Sequence, residues 1–109
     1  MPHIRVRSLD QKKLVSISKE LIDQMEALIK CPRDYFTLEY VHSTFIMDGV
    51  EGAGGYPHVE VLWFDRGESV KLQVAEAITK LVKTVVDDDV CVYFVDMDKA
   101  SYFENGQHY

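Results

Sequence analysis

Proline stands second in this 109-residue chain, and proline is the residue whose free α-amine is secondary. While Met1 is attached, the Pro2 nitrogen belongs to an amide and cannot titrate. Initiator methionine is trimmed before small residues, and trimming leaves an amine with an ordinary pKa of about 7.7–8.0. Apolar surroundings and a nearby guanidinium both disfavour the charged amine and lower that value. A largely neutral amine near pH 7 is what a general base requires. Arg33 and Arg66 supply the complementary chemistry, since a guanidinium offers a forked pair of donors to a carboxylate or an enolate oxygen. Tyr35 adds an aromatic ring. Whether these groups meet depends on the elements that carry them.

The chain repeats itself. PHIRVRSLD at Pro2–Asp10 returns as PHVEVLWFD at Pro57–Asp65, 55 positions later. After the first copy, Leu14, Ile17, Leu21, Met25, Leu28 and Ile29 fall three or four apart and form one face of a helix. Asp10 is its expected N-cap and Pro32 its stop. DYFTLEYVHSTFI then reads as a strand, being rich in aromatic and β-branched residues. After the second copy, Val70, Val74, Ala77, Ile78, Leu81, Val82 and Val85 mark another helical face, with Asp65 as candidate cap, and DDDVCVYFVDM reads as strand. Between the halves, MDGVEGAGGYP reads as a turn or mobile loop.

Each half is therefore strand–helix–strand, with its two strands parallel and a right-handed crossover. The predicted fold class is α/β (α+β): two such repeats, at 2–46 and 57–97, form one four-stranded mixed sheet with both helices on one face. The chain is expected to be a single domain over 1–109, with a tail at 98–109 holding an Asn-Gly turn that either docks or frays. Alternation places Ile4, Val6, Phe36, Leu38, Val59, Val61, Val92 and Phe94 against the helices. Arg5, Arg7, Thr37, Glu39, Val41, Glu60, Leu62, Phe64, Cys91, Tyr93 and Val95 then face the other way. That face mixes apolar residues with both charge signs, unlike a freely solvated sheet. It predicts self-association, with a monomer carrying stray apolar residues as the alternative. Arg5 and Arg7 are expected to pair with Glu39 and Glu60 across the sheet.

An approximate two-fold between the halves makes their strand pairs antiparallel. Pro2, Arg33 and Tyr35, at the starts of the first and second strands, then share an edge with Phe64, Asp65, Arg66 and Asp96, at the ends of the third and fourth. The helix after Arg66 also aims its N-terminus there, which favours an anion.

Composition narrows the partners. A net charge of −6 argues against nucleic acid or an anionic membrane surface, which call for clustered positive charge. No apolar run is long enough to span a bilayer, and MPHIRVRSLD has no signal-type h-region. Cys31 and Cys91 are far apart and His3, His42, His58 and His108 lack ligand spacing, so neither disulfide nor metal is expected. A reducing cytoplasm is the expected location. Cys31 reads as an inert, buried thiol unless Arg33 activates it. Trp63 and Tyr40 read as packing residues, and Asp87–Asp89 as a solvated turn.

Met1-Pro2, the duplicated unit, CPRDYFTLEYV at Cys31–Val41 and VYFVDMDKASYFENG at Val92–Gly106 together resemble the tautomerase superfamily, which contains 4-oxalocrotonate tautomerase and macrophage migration inhibitory factor. The PHIR start, CPRDYF and VEVLWFDRG are similar to a group of single-domain relatives within it. The resemblance implies a homotrimer with sheets around a central barrel and a proline base in a pocket between subunits. It implies cofactor-free keto–enol isomerisation of a small carboxylate-bearing compound. Carried across, Pro2 matches the base, Tyr35 a pocket aromatic, and Phe64, Asp65 and Arg66 the ligand-contacting segment. Tyr93 matches a polar position supplied by the neighbouring subunit. Where the macrophage-factor branch has a lysine before the second strand and a tyrosine on the last, this chain has Cys31 and Cys91; Lys30 or Arg33 is left to replace the lysine. Two other readings stand beside the tautomerase: a non-catalytic ligand- or protein-binding module on the same fold, and a monomeric ferredoxin-like plait that binds a protein by its sheet edge.

Overall fold

The computed structural model describes residues 2–108. Met1, whose removal the base chemistry requires, lies outside the described residues, as does Tyr109. The chain runs through β1 (His3–Arg7), α1 (Gln11–Ile29), β2 (Thr37–Val41), β3 (Ile46–Met47), β4 (Val50–Glu51), β5 (His58–Trp63), α2 (Glu68–Val82), β6 (Cys91–Asp96), β7 (Phe103–Glu104) and β8 (Gln107–His108). Short 3-10 turns at Arg33–Tyr35 and Lys99–Ser101 precede β2 and β7.

The main sheet has the order β2-β1-β5-β6. β1 pairs parallel with β2, β5 parallel with β6, and β1 antiparallel with β5. This is the expected pair of strand–helix–strand units in one mixed sheet. In the central pair Arg5 sits opposite Glu60, and the 55-residue repeat maps one onto the other. The approximate two-fold therefore passes between them. Its imprint continues at the ends: the Pro2 carbonyl accepts from the Thr37 N–H at 3.2 Å, and the Pro57 carbonyl from the Cys91 N–H at 3.0 Å.

One core fills the space between sheet and helices. Ile4, Val6, Val59, Val61 and Trp63 point into it from the sheet, Leu14, Ile17, Leu21, Met25 and Ile29 from α1, and Val74, Ile78, Leu81 and Val82 from α2. Phe36, just before β2, and Leu38, Val92 and Phe94 on the outer strands pack at its margin. The alternation read from sequence holds here, because a strand turns every second side chain to one face.

Local signals behave unevenly. Asp10 does cap α1, its carboxylate accepting from the Lys12 N–H at 3.0 Å. The helix ends before Pro32: Lys30 turns left-handed at φ 60° and returns its N–H to the Glu26 carbonyl. Asp65 is not the cap of α2. That position belongs to Gly67, at φ 94°, a backbone region that glycine enters without strain. Asp65 instead braces the turn by accepting from the Gly67 N–H at 2.9 Å. β2 is shorter than expected because its partner β1 ends at Arg7, opposite Val41, and nothing remains to hydrogen-bond beyond it. The glycine-rich joint forms a hairpin, β3–β4, turned by Asp48 and Gly49 at φ 50° and 75°, the paired positive values of a tight hairpin turn. The tail likewise closes as β7–β8 around Asn105 and Gly106, at φ 54° and 76°. Among the described residues, no helix is long and apolar enough to cross a membrane.

Met25 lies on the α1 stripe with no exposed surface. Met25→Ala leaves a cavity under the sheet, and urea unfolding is expected to show a loss of about 2–5 kcal/mol with an unchanged denaturant slope.

Candidate functional site

The antiparallel join brings the starts of β1 and β2 to the same edge as the ends of β5 and β6. Pro2 enters this edge fully buried, under 2% exposed. His3 follows on the open face. Its Nε2 lies 2.9 Å from the Tyr102 hydroxyl and its Nδ1 meets the Thr37 hydroxyl. Since the Tyr102 hydroxyl donates to Glu104 at 3.3 Å, the consistent tautomer carries the proton on Nε2, with Nδ1 accepting from Thr37. Burial pulls the His3 pKa below its ordinary 6.5, and Arg5 adds to the effect while Glu104 and Glu39 oppose it.

Across the edge stands the segment after β5. Alternation had put Phe64 on the open face. The strand ends at Trp63, however, and Phe64 turns inward in the following turn, 4% exposed. Tyr102 approaches its ring edge-on at 5.5 Å between centroids. Arg66 is half-buried and donates back to the Phe64 carbonyl at 2.9 Å. Cys31 is half-buried near it; burial raises the thiol pKa, and the Arg66 charge opposes that rise. Arg33, the cation that could have activated this thiol, does not act on it, and the raised pKa fits the inert thiol expected from the sequence.

The remaining predicted residues stand differently. Arg33 donates to Asp23 at 2.6 Å and Glu26 at 3.2 Å, so α1 carboxylates occupy its guanidinium. Tyr35 is exposed in the 3-10 turn ahead of β2. Asp65 is exposed and holds its turn. Tyr93 sits midway along the edge strand β6, on the open face. Register sets Glu39, Arg5, Glu60 and Tyr93 in one row across all four strands. Arg5 bonds Glu39 at 2.7 Å and reaches Glu60 at 3.4 Å, and the Tyr93 hydroxyl donates to Glu60 at 3.0 Å. Burial and that bond push the Tyr93 phenol above its ordinary 10.0. Arg7 departs from the expected pairing and lies over the Phe45 ring, 6.0 Å from its centre.

A concavity of about 380 Å³ opens on this face, over Arg5, Arg7, Glu39, His58, Glu60 and Tyr93. It belongs to the middle and the Pro57 end of the sheet, whereas Pro2, Phe64 and Arg66 gather at the opposite end. Among the described residues no cluster of histidine, cysteine and carboxylates could hold a metal ion. Sequence reasoning did not foresee Tyr102 and Lys99 at the Pro2 edge. Their signal was present, two aromatics and a cation after the last strand, but periodicity cannot dock a tail.

His3 buries a neutral imidazole, so its folded pKa lies below the unfolded one. The stability tied to it is present above about pH 6.5 and falls away as pH drops through the lowered value. In an NMR titration the His3 ring is expected to titrate below 6.5, and His3→Gln is expected to remove that acid-side loss of stability.

The comparisons with known proteins agree with this fold. A crystal structure of a domain of unknown function (DUF1904) from Sebaldella termitidis is 38% identical, covers 100% of both chains and superposes with a TM-score of 0.94. A macrophage migration inhibitory factor-like protein from Entamoeba histolytica shares the fold at TM-score 0.74 and 13% identity, covering 99% of this chain and 98% of its own. A fused 4-OT described as an asymmetric trimer does so at 0.81 and 13%, covering 97% and 94%. The resemblance noted in the sequence thus holds at the level of fold, which is that of the tautomerase and macrophage-factor proteins. No match was found among curated proteins. The family model for a domain of unknown function, DUF1904, matches residues 1–108, and the chain belongs to that family.

Proposed function

We propose that this protein is a cofactor-free tautomerase-like isomerase acting on a small keto/enol carboxylate, with Pro2 as acid–base once Met1 is removed. The observation that carries the reading is a Pro2 ring buried at the sheet edge that also holds Phe64 and Arg66. Burial and positive charge both lower an amine pKa, which favours a neutral nitrogen near pH 7. Ketonisation moves one proton: the neutral amine takes the enol proton, the C=C electron pair forms the new C–H bond, and the same ammonium delivers the proton to carbon. Arg66 holds the substrate carboxylate, and it is favoured over Arg33, which would first have to leave Asp23 and Glu26. Phe64 and Tyr35 supply apolar walls, and Asp65 keeps the Arg66 turn in shape.

The reading includes a homotrimer in the cytoplasm. The row of exposed Arg5 with half-buried Glu60 and Tyr93, beside half-buried Leu62 and Val41, suits a face covered by another sheet, since its charges are already paired. A neighbouring subunit would then bring its Tyr93 toward the pocket and complete it. The position of the concavity away from Pro2 favours the second reading, a binding module whose Pro2 nitrogen stays an amide.

Phenylenolpyruvate ketonisation, followed by absorbance on protein shown by intact mass to lack Met1, is expected to slow about 100-fold or more in Pro2→Ala; equal rates in the two proteins would falsify the catalytic assignment for that substrate. Size-exclusion chromatography with light scattering is expected to give the mass of three chains. A one-chain mass would leave the open face without its partner and sink the trimer.

A further inference from the structure

The segment after β6 is braced from within. The Asp98 carboxylate accepts from the Ala100 N–H at 3.0 Å, the Ser101 N–H returns to the Asp98 carbonyl at 2.9 Å, and His108 Nε2 donates to the Ala100 carbonyl at 3.0 Å. Tyr102 then fixes this unit to the sheet edge through His3 and the Phe64 ring. In that position the Lys99 ammonium lies 5.5 Å from the centre of the Phe64 ring. Lys71, Arg5 and Arg33 all have carboxylate partners, while Lys99 and Arg66 have none within 4.0 Å among the described residues. Nearby acidic groups are turned to other donors: Asp65 to the Gly67 N–H, Asp98 to the Ala100 N–H and Glu104 to the Tyr102 hydroxyl. Buried Phe64 thus meets two cations that have no carboxylate within 4.0 Å among the described residues, Arg66 at its backbone carbonyl and Lys99 over its ring face. They come from different elements, and it is the parallel ends of β5 and β6 that unite them.

We propose that Lys99 is a second anion-holding residue of the Pro2-edge site, so that the site selects a ligand with two anionic groups. The inference rests on the functional reading above and deepens it. Arg66 presents a planar fork suited to one carboxylate in a fixed orientation, whereas Lys99 is a point charge on a flexible stem. The first orients the reacting end and the second accommodates a distal anion at variable reach.

The test compares 2-oxoglutarate with 2-oxopentanoate, keto acids of equal chain length that differ in the distal carboxylate, by titration calorimetry on the full chain. The unaltered protein is expected to bind 2-oxoglutarate about 10-fold more tightly. Lys99→Met is expected to abolish that preference without changing 2-oxopentanoate affinity, and Lys99→Arg to retain most of it. Lys83→Met, on an exposed lysine beyond α2, controls for overall charge, and the His3 ring resonances report whether the tail stays docked. A preference untouched by Lys99→Met, or lost equally in Lys83→Met, overturns the role of Lys99 while leaving the Pro2 reading intact. Loss of both ligands together with a shifted His3 resonance makes Lys99 a structural residue and also overturns it. If the unaltered protein binds neither keto acid, the role of Lys99 is overturned, and the Pro2 reading stands or falls on the phenylenolpyruvate assay.

Discussion

The antiparallel pairing of β1 with β5 is the constraint on which the other features rest. It sets Arg5 opposite Glu60 and Ile4 opposite Val61. The outward row becomes an ionic pair, and the inward row the centre of the core, with Ile4, Val6, Val59 and Val61 all at or below 1% exposed. A slip of one residue would send the charges into the core and the aliphatic side chains out, so register is strongly specified. Because each unit is parallel within itself, this one antiparallel join lays the beginning of either unit beside the end of the other.

Near-symmetry in the backbone then carries different chemistry at its two ends. At the Pro57 end, His58 stacks on Tyr56 at 4.6 Å and tilts against Phe45 at 5.4 Å, and its Nδ1 donates to the Tyr56 carbonyl. Gly55 allows Phe45 to lie there: a Cβ at that position would fall 2.6 Å from the ring. At the Pro2 end, the corresponding histidine is held by Thr37 and the tail. An aromatic cluster thus borders the concavity at one end, while the other end carries Phe64, with Arg66 and Lys99 against it, on the edge where Pro2 is buried.

Side-chain bonds lock the end of β6 to β5 and α2. The Trp63 indole donates to Asp96 at 2.7 Å and Lys71 reaches the same carboxylate at 3.3 Å. The indole N–H first, then the ammonium, hold that carboxyl below its ordinary range. The end of β5, from which the Phe64–Arg66 turn departs, is thereby tied to β6 and α2. A turn rigidly anchored at its start can present a half-buried arginine with little conformational cost.

The two repeats, their helices and the inward and outward faces were legible in the sequence because each depends on a local period. The stripe through Leu14, Leu21 and Met25 and the alternation through Val59, Val61 and Trp63 are set by backbone geometry alone. Asp10 was readable as a cap for the same reason, since its partner lies two residues away. What only the tertiary structure decided concerns partners distant along the chain. Arg33 looked as available as Arg66 until α1 placed Asp23 and Glu26 beside it. Phe64 followed the strand's alternation on paper but turned inward once the strand had ended at Trp63. Lys99 and Tyr102 reach the Pro2 edge through contacts with His3 and Phe64, residues 99 positions and 35 positions away, respectively. No short-range pattern encodes such an encounter, because it arises from the sum of strand pairing, helix length and the turn that follows.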